Sequence, residues 1–412
     1  MATTTADMGT FAPNPPAGST RGAAAVRVRD PRLDFFRGIA MFIILIAHTP
    51  GNWWVRWIPA RFGFSDATEI FVFCSGMASA IAFGATFARA GWALGTARVL
   101  FRIWQVYWAH IGLFFLIAMM LATIDTHGSF DKSYINGLNL RRFFEDPATQ
   151  IVGLFTLTYV PNYFDILPMY LVILAMLPLV MAVGKVSKTA LAGILIVLWF
   201  FAQHRILDAI GLGGLALELP AEPWSEREWF FNPFAWQLIF FTGFAFMAGW
   251  LPKPPVHVGL IALASVVVLA NVAGSHVGIR MFGQEIIDWR VANRIWITKT
   301  DFGLFRFLHF LSLAYLAWVL VGPGGSRLKP SGSDPFSTAW RWIVAQITKV
   351  GQQSLAIFVF SMAFARVIGF TLDQVGRTTA TVTLANVIGV VTLVVVAYTV
   401  AWFKGAPWRK RA

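Results

Sequence analysis

The stretch LDFFRGIAMFIILIAHTPGNWW, Leu33–Trp54, decides the fold class. It is apolar enough for a membrane helix, yet it carries Asp34 and Arg37 near one end and His48 near the other. A charged side chain at the centre of a membrane helix costs roughly 2.5–3.5 kcal/mol on insertion scales. These groups therefore indicate partners elsewhere in the chain, and a function that keeps them there.

The rest of the chain continues this apolar pattern. Of its 412 residues, 57% are hydrophobic and 13% are charged, whereas a soluble domain has about 25% charged residues. A helix needs about 20 mainly apolar residues to cross a bilayer. We predict an all-α, polytopic membrane bundle of about ten transmembrane helices, at 33–49, 66–86, 104–124, 163–184, 189–207, 232–250, 256–273, 303–322, 351–371 and 381–403. The apolar segment 149–160 is shorter and predicts a re-entrant or interfacial piece.

Basic residues set the predicted orientation. Cytoplasmic loops are enriched in Lys and Arg, and ten spans with both termini in the cytoplasm place most of the excess on one side. The net charge of +13 is then a topology signal and does not indicate nucleic-acid binding. We predict a disordered cytoplasmic tail at 1–29, the membrane domain at 30–404 and a basic cytoplasmic tail at 405–412. With a single cysteine, Cys74, we expect no disulfide within the chain and no metal site.

Ionisable side chains in other spans fall at the depth of His48. This level lies just below the outer surface in the predicted topology. We predict that His48 converges there with Asp66, Glu69, Asp165, Arg306, His309 and Arg366. Along the first span, Arg37 and His48 share one face about 16 Å apart, and Asp34 lies one turn from Arg37, where the two can pair.

Several of these residues also have a purely structural interpretation. The alternatives are an interfacial, snorkelling pair for Asp34 and Arg37, a satisfied helix-end histidine for His48, a helix cap for Asp165, an interfacial arginine for Arg306 and a backbone-carbonyl contact for Arg366. We interpret His110 and His204 as structural.

Chemistry can be inferred from the predicted cluster. A histidine beside a carboxylate is the usual general-base arrangement. The sequence has no Gly-x-Ser-x-Gly, His-Glu-x-x-His or phosphate-loop motif, which disfavours a hydrolase, a metalloprotease or an ATPase. Arg98 and Arg102 lie one turn apart at the inner face, where paired arginines suit a phosphate-bearing donor; the alternative is ordinary positive-inside charge. We infer a group transfer through the membrane, from a donor inside to an acceptor outside.

Tryptophans follow His48 directly in the chain. Trp53 and Trp54 suit the membrane interface, but indole faces also pack against sugars. We keep both interpretations, a membrane anchor and a sugar platform.

The motifs resemble a known group of enzymes. Arg37, ten residues and then His48 resemble the Arg-x10-His motif of the acyltransferase-3 superfamily. EIFVFCSG (69–76) resembles its second-helix motif with Glu69 at the aspartate position, and RVLFRIWQVYW (98–108) resembles its third-helix motif, with Gln105 where proline is common. Further segments are similar to the OpgC family, namely FDILPMYLVILAMLP (164–178), WQLIFFTGFAF (236–246), RFLHFLSLAYLA (306–317) and GQQSLAIFVFSM (351–362).

This resemblance implies transfer of an acyl group, with succinyl-CoA as the expected donor, to hydroxyls of osmoregulated periplasmic glucans at the bacterial inner membrane. By motif, Arg37 and His48 are the functional pair, His48 as general base or transient acyl carrier, and Glu69 joins them. From depth alone we add Asp66 to the catalytic set. We also hypothesise that Arg306 or Arg366 pairs with the succinyl carboxylate.

Other functions stay open at this point. An O-acetyltransferase acting on another envelope glycan would use the same residues. A secondary transporter would often show inverted repeats and interrupted helices near the midplane, and a scaffolding protein would not need so many buried charges. The oligomeric state does not follow from the sequence.

Overall fold

The computed structural model describes residues 30–128 and 130–409, and within these ranges it consists of helices and loops without a named strand. The α-helices in chain order are α1 (Pro31–His48), α2 (Ala67–Ser79), α3 (Ala85–His127), α4 (Arg141–Glu145), α5 (Pro147–Thr156), α6 (Ile166–Val186), α7 (Lys188–Phe201), α8 (His204–Ala209), α9 (Pro233–Met247), α10 (Val258–Ala273), α11 (His276–Phe282), α12 (Gln284–Ala292), α13 (Arg294–Ile297), α14 (Leu304–Val321), α15 (Pro335–Gln352), α16 (Ser354–Val375) and α17 (Thr379–Lys404).

The all-α membrane bundle is confirmed. Each of the ten predicted apolar runs contains a helix. By length and composition, five helices in the described ranges can cross a membrane, or six if α10 and α11, which are bent by 57°, form one span. The count of ten and the cytoplasmic termini therefore stay predictions. The predicted tail at 1–29 and the last three residues of the 405–412 tail lie outside the described residues.

The second and third predicted spans lie in one nearly continuous helical stretch. A π-helical turn at Ala80–Gly84 joins α2 to α3, and Gly91 interrupts α3 with φ 79° and ψ −179°. These dihedrals are far from helical and lie where glycine has no steric penalty. The stretch therefore does not form one straight helix. A break is what the prediction of two separate spans requires.

Helix α1 lies against α2, α15 and α16. A Cβ on Gly38 would lie 2.0 Å from the carbonyl oxygen of Ile347, and one on Gly351 would lie 1.8 Å from that of Asp34. Glycines of this kind let membrane helices approach until their backbones touch. The sequence analysis did not predict α15, whose close packing fixes the position of α1.

Candidate functional site

A cavity of about 490 Å³ lies beside the last turn of α1. His48 contributes to its wall from α1, Asp66 from the residue before α2 and Asp165 from the residue before α6. Phe231 and Phe358 are among its apolar lining residues. The structure thus brings together three of the polar groups that the sequence predicted at one depth.

The ring of His48 is fixed by its own helix. Its Nδ1 lies 2.8 Å from the carbonyl oxygen of Ile44. Since a carbonyl only accepts, this contact assigns the proton to Nδ1 and leaves Nε2 as the basic nitrogen of the neutral ring. In the described part of the chain, Nε2 has no hydrogen-bond partner. Among the described residues no hydrogen bond joins His48 to a carboxylate, and the Ile44 carbonyl orients the ring. Asp66 lines the same cavity and interacts with His48 electrostatically.

Asp66 and Glu69 form a capping box at the start of α2. Asp66 Oδ1 accepts from the backbone N–H of Thr68 at 2.7 Å, and Glu69 Oε2 accepts from that of Asp66 at 2.7 Å. Their other oxygens bind cations: Lys299 Nζ lies 2.6 Å from Asp66 Oδ2, and Arg306 Nη1 lies 2.8 Å from Glu69 Oε1. Both carboxylates are therefore committed to helix capping and ion pairs, which hold the rim of the cavity.

These two acids differ in their access to the cavity. Asp66 and its partner Lys299 line the cavity, whereas Glu69 is fully buried and Arg306 is 8% exposed, both outside the lining. The burial of Arg306 contradicts its interpretation as an interfacial arginine. Sequence reasoning missed Lys299, which lies in a loop between helices and gave no periodicity signal.

His309 supports the loop that leads to Asp66. Its Nδ1 accepts from the backbone N–H of Ser65 at 3.3 Å and lies 2.7 Å from the Ser65 hydroxyl. His309 is buried and is not part of the cavity lining. Its position is close to the predicted cluster, but it contacts the backbone of the rim and not the cavity.

Tyr163 connects His48 to Arg366. The rings of Tyr163 and His48 meet edge to face with centroids 5.2 Å apart, and the guanidinium of Arg366 lies 3.9 Å from the Tyr163 ring centre. The Tyr163 hydroxyl donates to the carbonyl of Met362 at 2.7 Å. Tyr163 adopts φ 88°, a costly conformation for a bulky residue that persists only where its surroundings impose it. Sequence reasoning missed Tyr163 in this role; Arg366 reaches the site through it.

Asp165 borders the cavity with a nearly buried carboxyl group. It precedes α6, but its side chain makes no capping hydrogen bond, so the helix-cap interpretation is wrong. Asp165 is 5% exposed, and its Oδ1 has no hydrogen-bond partner among the described residues. Because buried polar atoms are nearly always paired, this oxygen is an exception. The Asp165 carboxyl group, as part of the cavity wall, is a candidate contact for a ligand hydroxyl.

The other end of α1 gathers positive charge. Arg37 donates to the hydroxyl of Ser354 and interacts electrostatically with both Asp34 and Arg102. Arg102 in turn interacts with Lys404, whose Nζ donates to the side-chain oxygen of Gln353 at 2.7 Å. Three cations from α1, α3 and α17 thus lie near one another with one carboxylate nearby, an arrangement that suits a multiply charged anion.

The remaining predicted residues belong neither to the cavity beside His48 nor to the group of cations around Arg37. Arg98 is exposed and donates to the Thr86 hydroxyl. Trp53 and Trp54 are half-buried, pack against the hydrophobic core and are not in the cavity lining. Trp53, Trp54 and Trp57 lie in one short 3-10 helix, Trp53–Trp57. Trp57 is 72% exposed and is better placed for a surface contact than the other two.

Comparison with known proteins identifies the family. The family model described as OpgC protein matches residues 29–405. No curated protein and no solved structure matches the chain. Because the matched region spans far more than half of the sequence and contains every residue of the cavity described above, the chain belongs to the OpgC family.

Proposed function

We propose that this protein is an integral membrane O-acyltransferase that moves a succinyl group from cytosolic succinyl-CoA to hydroxyls of periplasmic glucans. Membership of the OpgC family supports a glucan succinyltransferase. The observation that carries the proposal is His48, whose Nδ1 is held by the Ile44 carbonyl and whose basic Nε2 remains for an acceptor at the cavity.

The reaction assigns a task to each cavity residue. The Asp165 carboxyl group accepts a hydrogen bond from the acceptor sugar and orients it. His48 Nε2 removes the proton of the attacking hydroxyl as its oxygen bonds to the thioester carbonyl carbon. The carbon–sulfur bond then breaks, and the leaving thiolate takes the proton from His48. The products are a glucan ester and free CoA, and an acyl-histidine route through the same nitrogen gives the same balance.

The donor occupies the opposite end of α1. Arg37, Arg102 and Lys404 bind the phosphates of CoA, since guanidinium and ammonium groups pair strongly with phosphate. The acyl end then extends about 16 Å along α1 to His48. In this proposal the donor is in the cytoplasm, the acceptor is outside it and the protein is in the bacterial inner membrane.

Lys299 is the cation proposed to bind the succinyl carboxylate. It lines the cavity, and an ammonium group has three donors, of which one is used by Asp66. Arg306 suits this task less well because Glu69 already binds it, and Arg366 stacks on Tyr163.

The test is mass spectrometry of glucans from cells that express the protein or its His48→Ala variant at equal membrane abundance. His127→Ala is the matched control, because His127 Nδ1 also contacts a carbonyl four residues earlier, at 3.1 Å, but on an exposed helix end. We expect succinyl mass increments with the wild type and His127→Ala and none with His48→Ala. Acetyl mass increments would show that the donor carries an acetyl group and not a succinyl group. Unmodified glucans with all three proteins would overturn the proposal.

A further inference from the structure

A second group of ionisable side chains lies outside the cavity, around the start of α8. It contains His204, Glu218 and Glu228, and one ligand atom from each lies within 4.8 Å of the other two. His204 Nδ1 is 2.9 Å from Glu218 Oε2, and the carboxyl group of Glu228 is within hydrogen-bonding reach of that of Glu218. None of these residues takes part in the proposed transfer.

A short hairpin brings the two glutamates together. The backbone N–H of Leu217 donates to the carbonyl of Phe201, the last residue of α7, at 2.8 Å, and that of Trp229 donates to Leu219 at 2.9 Å. An antiparallel bridge pairs Pro220 with Glu228. In the register of this 217–229 hairpin, position 218 is a diagonal neighbour of position 228, and both glutamates lie near His204 at the start of α8.

The second ring nitrogen of His204 points to a ligand role. His204 Nε2 lies 2.8 Å from Asp208 Oδ2, one turn further along α8. A histidine that binds a metal usually donates its other ring N–H to a carboxylate, which fixes the tautomer and orients the ring. With the proton on Nε2, the lone pair of Nδ1 faces the Glu218 carboxylate.

That orientation leaves two lone-pair atoms facing each other. His204 Nδ1 and Glu218 Oε2 are both buried atoms 2.9 Å apart. When the ring is neutral with its proton on Nε2, neither atom can donate a hydrogen bond to the other. Two ligands of one tetrahedral zinc ion, each about 2.0–2.2 Å from the metal, lie about 3.3–3.6 Å apart, so this pair would have to open slightly to admit the ion. A cation between them would remove the repulsion, and the neighbouring Glu228 would complete a set of three ligands.

We propose that His204, Glu218 and Glu228 bind a divalent transition-metal ion of the zinc class, oriented through Asp208. One imidazole nitrogen and two carboxylates suit such an ion, with water at the open position. The site lies near the protein surface, because the side chains of His204 and Glu218 are 36% and 30% exposed although the two facing atoms are buried. Asp301 adds negative charge beside Glu228, while Arg205 opposes it.

The ion would tie the 217–229 hairpin to α8. Phe230 and Phe231 directly follow the hairpin and line the cavity, so the metal would fix one wall of the cavity from outside. The metal takes no part in the acyl-transfer step, and its binding can be tested without any acyl donor or glucan.

The experiment uses the full-length protein purified in detergent, stripped with a chelator and dialysed against micromolar Zn²⁺. Bound zinc per chain is measured by mass spectrometry, and the thermal midpoint is measured with and without Zn²⁺. We expect one zinc per chain and a higher midpoint with zinc, and loss of both in Glu218→Gln and Glu228→Gln. Asp208→Asn should weaken zinc binding by about 10- to 100-fold.

The matched control is Glu226→Gln, which removes the same charge from an exposed position of the same hairpin and should keep one zinc. Size-exclusion profiles identify variants that fail to fold. If a glutamate variant fails to fold, His204→Gln is used in its place as the variant that lacks one ligand. Equal zinc content in the wild type and the ligand variants, or no zinc in the wild type, would overturn the proposal in favour of a proton shared between the carboxylates.

Discussion

The two ends of α1 handle charge in opposite ways. At the His48 end, each cation of the rim has a carboxylate partner: Lys299 binds Asp66 and Arg306 binds Glu69. At the Arg37 end, Arg37, Arg102 and Lys404 lie near one another, and the hydrogen bonds from Arg37 and Lys404 go to neutral side chains. The His48 end thus holds paired charges, whereas the Arg37 end holds an excess of positive charge, with Asp34 as the carboxylate near its three cations.

This difference separates two tasks. Like charges held together destabilise the protein on their own, so they indicate an anionic ligand that offsets the repulsion. Buried ion pairs with good geometry instead hold their surroundings in place, and breaking one leaves an uncompensated charge. This contrast is consistent with the proposed function, in which the Arg37 end binds the phosphates of the donor and the His48 end carries out the chemical step.

The largest expected effect is that of His48→Ala on the rate of transfer. Loss of a general base lowers kcat by about 10²- to 10⁴-fold. The dissociation constant for CoA should stay within about twofold, because Arg37 lies about 16 Å away. Initial rates and equilibrium binding of CoA to the purified protein measure the two effects. If His48→Ala lowered the affinity for CoA as much as the rate, donor binding and the chemical step would not be located at different ends of α1.

The second effect concerns stability at the His48 end. Glu69→Ala leaves Arg306, which is 8% exposed, without its counter-charge and should cost about 3–5 kcal/mol in the free energy of unfolding. The double variant Glu69→Leu with Arg306→Met should recover most of that loss. Chemical unfolding in detergent measures both.

An exposed ion pair provides the matched control for this stability measurement. Lys132→Ala removes the cation from Asp373, 2.9 Å away, where the lysine side chain is 55% exposed. Such a pair contributes about 0–1 kcal/mol. If Glu69→Ala cost no more than Lys132→Ala, the rim pairs would not hold the cavity as described.

The third effect concerns the donor end. Arg102→Gln and Lys404→Gln should each raise KM for the acyl-CoA donor about tenfold, as expected for losing one charged hydrogen bond, and should leave kcat unchanged. Arg98→Gln is the control with a smaller expected effect, because Arg98 is exposed and binds Thr86. Steady-state kinetics with varied donor measure the change. A larger effect for Arg98 than for Arg102 would move the donor site along α3.

The smallest expected effect tests whether Lys299 binds the succinyl carboxylate. Lys299→Met should lower kcat/KM for a succinyl donor severalfold and leave that for an acetyl donor nearly unchanged, since only the succinyl group carries a carboxylate. Competition between the two donors, read by mass spectrometry of the product, measures the ratio. An unchanged ratio would exclude Lys299, and Arg366→Gln would then be tested in the same way.

Much of the helical framework could be predicted because hydrophobicity is local. The ten apolar runs contain helices, and depth counting brought His48, Asp66 and Asp165 to one cavity. The partners of these groups were not predictable in this way. Lys299 is 233 residues from Asp66 and lies in a loop, where no periodicity marks a functional position.

Orientation of side chains was also beyond the sequence. The sequence suggested a carboxylate for His48, whereas the helix supplies the Ile44 carbonyl one turn earlier. His204, interpreted as structural, meets Glu218 only because the 217–229 hairpin folds back onto α7. Such contacts depend on loop geometry and side-chain rotamers, which cannot be predicted from composition and residue spacing.

The most direct test of the two-ended arrangement is transfer across a sealed membrane. Protein is reconstituted into vesicles with glucan enclosed and labelled succinyl-CoA added outside only, with His48→Ala vesicles as the control for leakage. We expect labelled glucan inside the wild-type vesicles and none in the control. Label that appears only when glucan and succinyl-CoA share a compartment would contradict a donor at the Arg37 end and an acceptor at the His48 end.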